Sequence, residues 1–231
     1  MERKTKNTSM MSTLLTLPLF QGLTLEQLVL LLEKAVPEFI YLTDEPILLH
    51  GERHNRILLI LNGNVLRHYT HPQGGCSLRE TMHEGDIIEL TSLFGKSTQL
   101  KADYAAQGEV TLLAFDKRYL FTVFNRFDII QMNLLNLCCA RSQTLQDKLT
   151  SSVGGTLGER FCHLVDTLSD SPSGAKELTV SRVRLAELLG VSRRPMSAEI
   201  STWEEAGLVS SSYAQIFIPD LPHLRQALLV R

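Results

Sequence analysis

Two adjacent arginines, Arg193 and Arg194, stand directly after Ser192 and directly before Pro195. A serine ahead of a helical pattern marks a helix start, and proline is tolerated in the first turn, where its missing N–H loses no bond. A helix beginning here carries two guanidinium groups at its N-terminal end. Such groups can donate in pairs to guanine O6 and N7 in a DNA major groove. Ser197, one turn on, is within reach of a base edge or a phosphate. Arg182 and Arg184 follow Ser181 in the same way, at the start of the preceding helix, and suit phosphate contacts that fix register. Four arginines between 182 and 194 face one acid, Glu187. Positive charge at a helix start opposes the helix dipole, a cost that a bound anion relieves. The competing reading is a solvated basic corner. The whole chain holds 23 basic and 25 acidic residues, net −2, which excludes indiscriminate binding to nucleic acid but allows a local basic patch.

The elements that must hold these residues are legible in the same stretch. Ser181 caps a helix with Val183, Leu185, Ala186, Leu188 and Leu189 as its apolar residues. Gly190 suits the left-handed position that ends it, Val191 turns into the core, and Ser192 caps the next helix. Met196, Ile200 and Trp203 repeat at helical spacing and face the core. Two helices joined by a tight turn form a helix-turn-helix, whose second helix enters the major groove. Gly207 to Ser210 and Gln215 to Ile218 form a small hairpin, a wing, with its tip at Ser211 to Ala214. Asp220 caps the last helix.

Upstream, the texture is different. Thr24 and Gln27 form a capping box for a helix from Leu25 to Ala35, closed by Pro37. From Glu38 to Asp116 short apolar runs recur: Phe39–Leu42, Ile47–Leu49, Ile57–Leu61, Val65–Tyr69, Leu78–Met82, Asp86–Ile88 and Val110–Phe115. Turn residues separate them, Asn62-Gly63-Asn64 among them, so a β-sandwich or barrel is expected. From Lys117 the pattern is helical. The helix between Phe127 and Leu149 is apolar on more than one face, so one side packs on its own barrel and the other needs a partner, most simply a second copy of the chain. Ile130, Leu134, Leu137 and Arg141 are the candidate dimer contacts. Residues 151–156 read as a hinge, residues 156–169 as a helix and residues 170–175 as a loop.

The chain is 231 residues long, enough for two domains with a core of their own. No stretch is long and apolar enough for a membrane span. Arg3, Lys4 and Lys6 ahead of Leu14–Phe20 superficially suggest an export signal, but Pro18 breaks the apolar stretch and no small-residue cleavage site follows. Cys76, Cys138, Cys139 and Cys162 form no C-x-x-C pair, and their spacing suits a reducing, cytoplasmic compartment. Cys138 and Cys139 are read as buried structural thiols.

From about Pro18 to Leu228 the chain resembles the Crp/Fnr superfamily of bacterial transcription regulators. The resemblance rests on Pro18-Leu19-Phe20-Gln21-Gly22-Leu23-Thr24, on Ile60-Leu61-Asn62-Gly63-Asn64-Val65, on Gly85-Asp86-Ile87-Ile88, and on Leu185-Ala186-Glu187-Leu188-Leu189-Gly190-Val191-Ser192-Arg193. It implies an α+β chain with a cyclic-nucleotide-binding-like jelly-roll barrel (14–124), a dimerisation helix (125–150) and a winged helix-turn-helix (156–231). It further implies a homodimer on a two-fold symmetric double-stranded DNA operator, with RNA polymerase as a partner and no membrane. Ser192, Arg182, Arg184, Arg193, Arg194 and Ser197 are the DNA-binding candidates. The family often has arginine where Ala198 stands, so its operator sequences do not transfer.

The departures bear on mechanism. Members that bind cyclic AMP carry Gly-Glu after the Gly-Asp pair and Arg-Ser further along. Here the segments read Glu89-Leu90-Thr91-Ser92 and Thr98-Gln99-Leu100-Lys101. The glutamate is shifted and the arginine absent, and a buried phosphate without a cation is costly. No tight cyclic-nucleotide binding is expected, and Glu89, Leu90, Thr98 and Gln99 are the candidate lining of an effector pocket. No cysteine precedes Cys76, as an N-terminal iron–sulfur cluster would require, and no histidine stands out as a haem ligand. The expectation is no cofactor and no metal. Two alternatives stay open. A cupin-like metal-dependent enzyme would need a His-x-His that His68 and His71 do not form. A cyclic-nucleotide regulatory module would keep the arginine and lack residues 181–209.

Overall fold

The computed structural model describes residues 10–150 and 155–229. The basic segment at Arg3, Lys4 and Lys6 and residues 151–154 of the expected hinge lie outside the described residues. In chain order the elements are α1 (10–16), α2 (Leu25–Ala35), β1 (Glu38–Thr43), β2 (Pro46–Leu48), β3 (Arg56–Thr70), β4 (Cys76–Met82), β5 (Ile87–Ile88), β6 (Asp103–Asp116), α3 (Tyr119–Thr122), α4 (Asp128–Thr150), α5 (Leu157–Leu168), β7 (Lys176–Val180), α6 (Arg182–Leu188), α7 (Arg193–Glu205), β8 (Ser210–Ser211), β9 (Gln215–Ile218) and α8 (Leu221–Leu229). They form two compact units. One comprises the chain up to Val65, His83–Leu100 and Ala106–Thr144; the other comprises Leu66–Met82, Lys101–Ala105 and the chain from Leu145. Strand pattern alone puts the β4 hairpin with the other N-terminal strands; the structure puts it with the C-terminal elements.

In the first unit local signals act as expected. The Thr24 hydroxyl accepts from the Gln27 N–H at 3.2 Å, and the Gln27 side chain accepts from the Thr24 N–H at 2.9 Å, so α2 starts on a closed capping box. β1 runs antiparallel to β6, from Glu38 opposite Ala114 to Thr43 opposite Glu109. β2 also pairs with β6, β3 lies on its other side, and β5 pairs with β3. The turn expected at Asn62-Gly63-Asn64 does not form. β3 runs through it as one strand of 15 residues. Gly63 takes φ +89°, and a Cβ there would stand 2.2 Å from the Glu109 carbonyl oxygen of β6. Its glycine serves close backbone approach within a strand rather than a reversal of the chain.

Phe20, Phe115 and Phe124 meet edge to face in the core, with centroid distances of 6.1 Å and 5.3 Å. Helix α4 closes this core with Ile130 fully buried, and Leu134 and Leu137 packed partly against it. These three residues, expected at a partner contact, therefore line the side of α4 that faces its own unit. Arg141 is half-buried. The face that α4 leaves open carries Met132 and Leu135, and Leu145 is exposed further along the helix. Cys138 and Cys139 are exposed as well, not buried as their sequence context suggests. Among the described residues no helix is long and apolar enough to cross a membrane.

The second unit is organised by a strand absent from the sequence reading. β7 pairs antiparallel with β4, from Cys76 opposite Val180 to Glu80 opposite Lys176. Its other edge pairs with β9, and β9 pairs with β8. Leu78, Leu178 and Ile216 from this sheet share one core with Phe161 and Val165 of α5, Leu185 of α6, and Met196, Ile200 and Trp203 of α7. At the β4–β7 junction Glu80 is buried, and its carboxylate accepts four bonds. They come from Lys176 Nζ at 2.6 Å, Arg67 Nη1 at 2.7 Å, the Asp170 N–H at 2.6 Å and the Ser171 N–H at 3.2 Å.

Candidate nucleic-acid interface

The turn between α6 and α7 is built from local bonds. The Ser181 hydroxyl accepts from the Arg184 N–H at 3.1 Å and starts α6. Gly190 ends it at φ +66°, and the Val191 N–H returns to the Ala186 carbonyl at 2.9 Å. Arg160 of α5 donates to the Leu189 carbonyl at 2.6 Å, tying the turn to the unit's core. Ser192 occupies the N-cap position of α7, but its side chain makes no capping bond. Its hydroxyl is exposed and left for another acceptor or donor.

Helix α7 has one buried face. Met196 is 0%, Ile200 1% and Trp203 2% exposed, and the Trp203 ring lies 4.9 Å from Phe161. That anchoring fixes which way its other face points. Arg193 and Arg194 are exposed in its first turn and have no ion-pair partner among the described residues. Ser197 is half-buried one turn further. A concavity of about 430 Å³ opens in front of Arg193 and Ser197, lined also by Arg182, Ser211, Ser212 and Tyr213 among others. Hydroxyls and two guanidinium groups from α6, α7 and the wing thus converge on one surface. Such a set of donors suits phosphate oxygens.

The other two arginines sit differently from the sequence expectation. Arg184 is engaged by Glu187 at 3.2 Å and by the Gln73 side chain at 3.4 Å, on the turn ahead of β4. Arg182 is half-buried and donates to the Ser211 hydroxyl, which donates in turn to Glu204 of α7. Burial pushes the Arg182 guanidinium below its usual range, and Glu204 pulls it back up. Glu204 also accepts from the Ser211 N–H at 2.7 Å. Glu204 carries no sequence signal for this role, because its partner lies across the turn into the wing.

The expected effector residues differ in their surroundings. Glu89 is buried in a left-handed backbone conformation at φ +46°, and its carboxylate accepts from the Ser92 hydroxyl at 2.7 Å. The buried His54 ring bonds the Glu89 carbonyl at 3.3 Å, and burial pushes the imidazole below its usual range. Leu90 is buried, Thr98 half-buried and Gln99 exposed opposite Arg53. Among the described residues no group of three or more His, Cys, Asp or Glu side chains could hold a metal ion. Burial pushes the Cys76 thiol up to about 11 and the Cys162 thiol up to about 12, so both are poor nucleophiles at neutral pH.

Residues 159–227 match the family model of the Crp-like helix-turn-helix domain. The fold is similar to that of the catabolite activator protein of Thermus thermophilus, at 20% identity and TM-score 0.53, over 92% of this chain and 99% of that one. It is also similar to the c-di-GMP-responsive global regulator CLP of Xanthomonas campestris, at 14% identity and TM-score 0.52, over 85% and 99%. At these identities the likeness is one of fold. No curated protein matches the sequence.

Proposed function

From a chain that carries a Crp-like helix-turn-helix domain within a Crp/Fnr-type fold, we propose a homodimeric, sequence-specific DNA-binding transcription regulator rather than an enzyme. One observation carries the reading: α7 is anchored by Met196, Ile200 and Trp203 while Arg193 and Arg194 stand exposed at its N-terminal end, with no ion-pair partner among the described residues. In a major groove that end meets base edges first. Arg193 and Arg194 read guanine, and Ser192 and Ser197 bond phosphate or base. Two copies pair through the open face of α4, with Met132 and Leu135 at its centre, and present two α7 helices to the halves of a symmetric operator. Bound there, the dimer recruits or blocks RNA polymerase.

The test is enrichment of fragmented DNA from the source on purified protein at moderate salt, without added nucleotide. Wild type should retain a palindrome, and Arg193→Ala and Arg194→Ala should each weaken binding to it by about 1–3 kcal/mol in fluorescence anisotropy. Equal enrichment by wild type and the double variant Arg193→Ala/Arg194→Ala would remove α7 from the interface.

The effector, where one acts, is not cyclic AMP. Glu89 is turned into a bond with Ser92, and no arginine lies between Thr98 and Lys101 to neutralise a cyclic phosphate. Isothermal titration with cyclic AMP should show no binding in the micromolar range, and micromolar affinity would refute this.

A further inference from the structure

The wing of a winged helix touches DNA only if something holds it at the right distance from the reading helix. In this chain a short polar relay does so. Arg182, the first residue of α6, donates to the Ser211 hydroxyl at the start of the wing; that hydroxyl donates to Glu204, in the last turn of α7. The Ser211 N–H adds a second bond to the same Glu204 oxygen at 2.7 Å. A cation at one end and a carboxylate at the other polarise the hydroxyl between them, which strengthens both bonds. Three elements that have no covalent reason to share a geometry are thereby joined at one serine. The strand that Ser211 itself ends, β8, is only two residues long, so the backbone ladder alone holds the wing weakly.

Two residues past this junction stands Tyr213, 95% exposed at the wing tip. It lines the same concavity as Arg193 and Ser197. An aromatic side chain left in water at a tip has no packing role in the free protein. Its ring and hydroxyl suit the sugar–phosphate edge of a duplex, where apolar and polar surface alternate.

We infer that Glu204 is a positioning residue for DNA binding, which through Ser211 and Arg182 sets the wing so that Tyr213 meets the DNA backbone beside the Arg193 contact. The inference rests on the DNA-binding reading above and adds to it two residues outside the arginine cluster, Glu204 and Tyr213. It also reassigns Arg182 from phosphate contact to support of the wing.

The charge of Glu204 makes the test a matter of sign. An acid near a DNA-binding surface repels the phosphates, so removing one without a structural role tightens binding. If Glu204 places the wing, removing it weakens binding instead. The experiment measures anisotropy of a fluorescein-labelled duplex carrying the palindrome enriched by the wild-type chain. Glu204→Ala and Tyr213→Ala should each weaken binding roughly fivefold, the size of one lost hydrogen-bonded contact. Glu204→Gln keeps a carbonyl acceptor and should fall between Glu204→Ala and wild type. The double variant Glu204→Ala/Tyr213→Ala should bind within about twofold of Tyr213→Ala alone, because a misplaced wing loses nothing more once its tip is cut. Unchanged or tighter binding by Glu204→Ala overturns the inference, and so do losses that multiply in the double variant. Should Glu204→Ala fail to fold, judged by the emission of Trp203, Ser211→Ala takes its place in the cycle with the same expectations. If Arg193→Ala binds the duplex as well as wild type, the DNA-binding reading itself fails and takes this inference with it. If Arg193→Ala is weakened while Glu204→Ala is not, only the positioning role falls.

Discussion

Glu80→Ala should cost the C-terminal unit about 3–5 kcal/mol, the range for leaving a buried charge without its partner. Glu80 is 2% exposed, and the two cations on it, Arg67 and Lys176, are 7% and 1% exposed. Truncation to alanine takes this anion from both cations and removes the acceptor of the bonds from the Asp170 and Ser171 N–H groups. Lys176→Met is the informative contrast. It removes one cation from a site with two, and Glu80 keeps Arg67 and both backbone donors. Its cost should be well below that of Glu80→Ala. Trp203 is the only tryptophan in the chain and sits in the core of this unit, so its emission reports unfolding there. Denaturant titration followed at Trp203 should show the midpoint of Glu80→Ala far below both wild type and Lys176→Met. A midpoint within experimental error of wild type would mean that water or a rearranged partner satisfies the two cations.

Trp203→Ala should be about as damaging, at about 3–5 kcal/mol for a large aromatic truncated in a packed core. The loss is both of transfer free energy and of the cavity left against Phe161, Met196 and Ile200. The consequence reaches DNA binding, because Trp203 holds down the C-terminal half of the helix whose N-terminal end carries Arg193 and Arg194. Thermal unfolding followed by circular dichroism should show the loss, and binding to the enriched palindrome should fall even though no contacting side chain has changed. Trp203→Phe refills part of the space and should recover most of both. Near-wild-type stability for Trp203→Ala would show that the helix is held by its turn and not by its buried face.

The residues that place α7 were legible because their signals are local. Ser181, Gly190 and Ser192 mark helix ends through the chemistry of their own neighbours, and Met196, Ile200 and Trp203 mark a face by spacing alone. Even there a limit shows: Ser192 takes the cap position by backbone conformation without its hydroxyl making the bond. What was not legible depended on distant partners. β7 alternates buried and half-buried over only five residues, and its partner β4 lies about a hundred residues earlier in the chain. Arg184 is drawn to Gln73 by the same pairing. Gly63 could signal a turn or a close approach, and only the position of Glu109 decides between them. For α4 the period announced two apolar faces correctly, but which residues served which face could not be read without the core. Cys138 and Cys139 changed from buried to exposed for that reason.

The pairing of β4 with β7 also sets where the DNA-binding part can be cut from the rest. A fragment starting at α5 would keep both helices of the motif and the whole wing. It would lose β4, Arg67 and Glu80. β7 would become an edge strand, with a free row of N–H and C=O groups and Lys176 pointing into an apolar core without an anion. Exposed edges of this kind recruit strands from other molecules. The smallest piece that could be transplanted intact is therefore discontinuous in sequence: residues 66–82 and 101–105 must travel with the C-terminal helices, joined by new linkers.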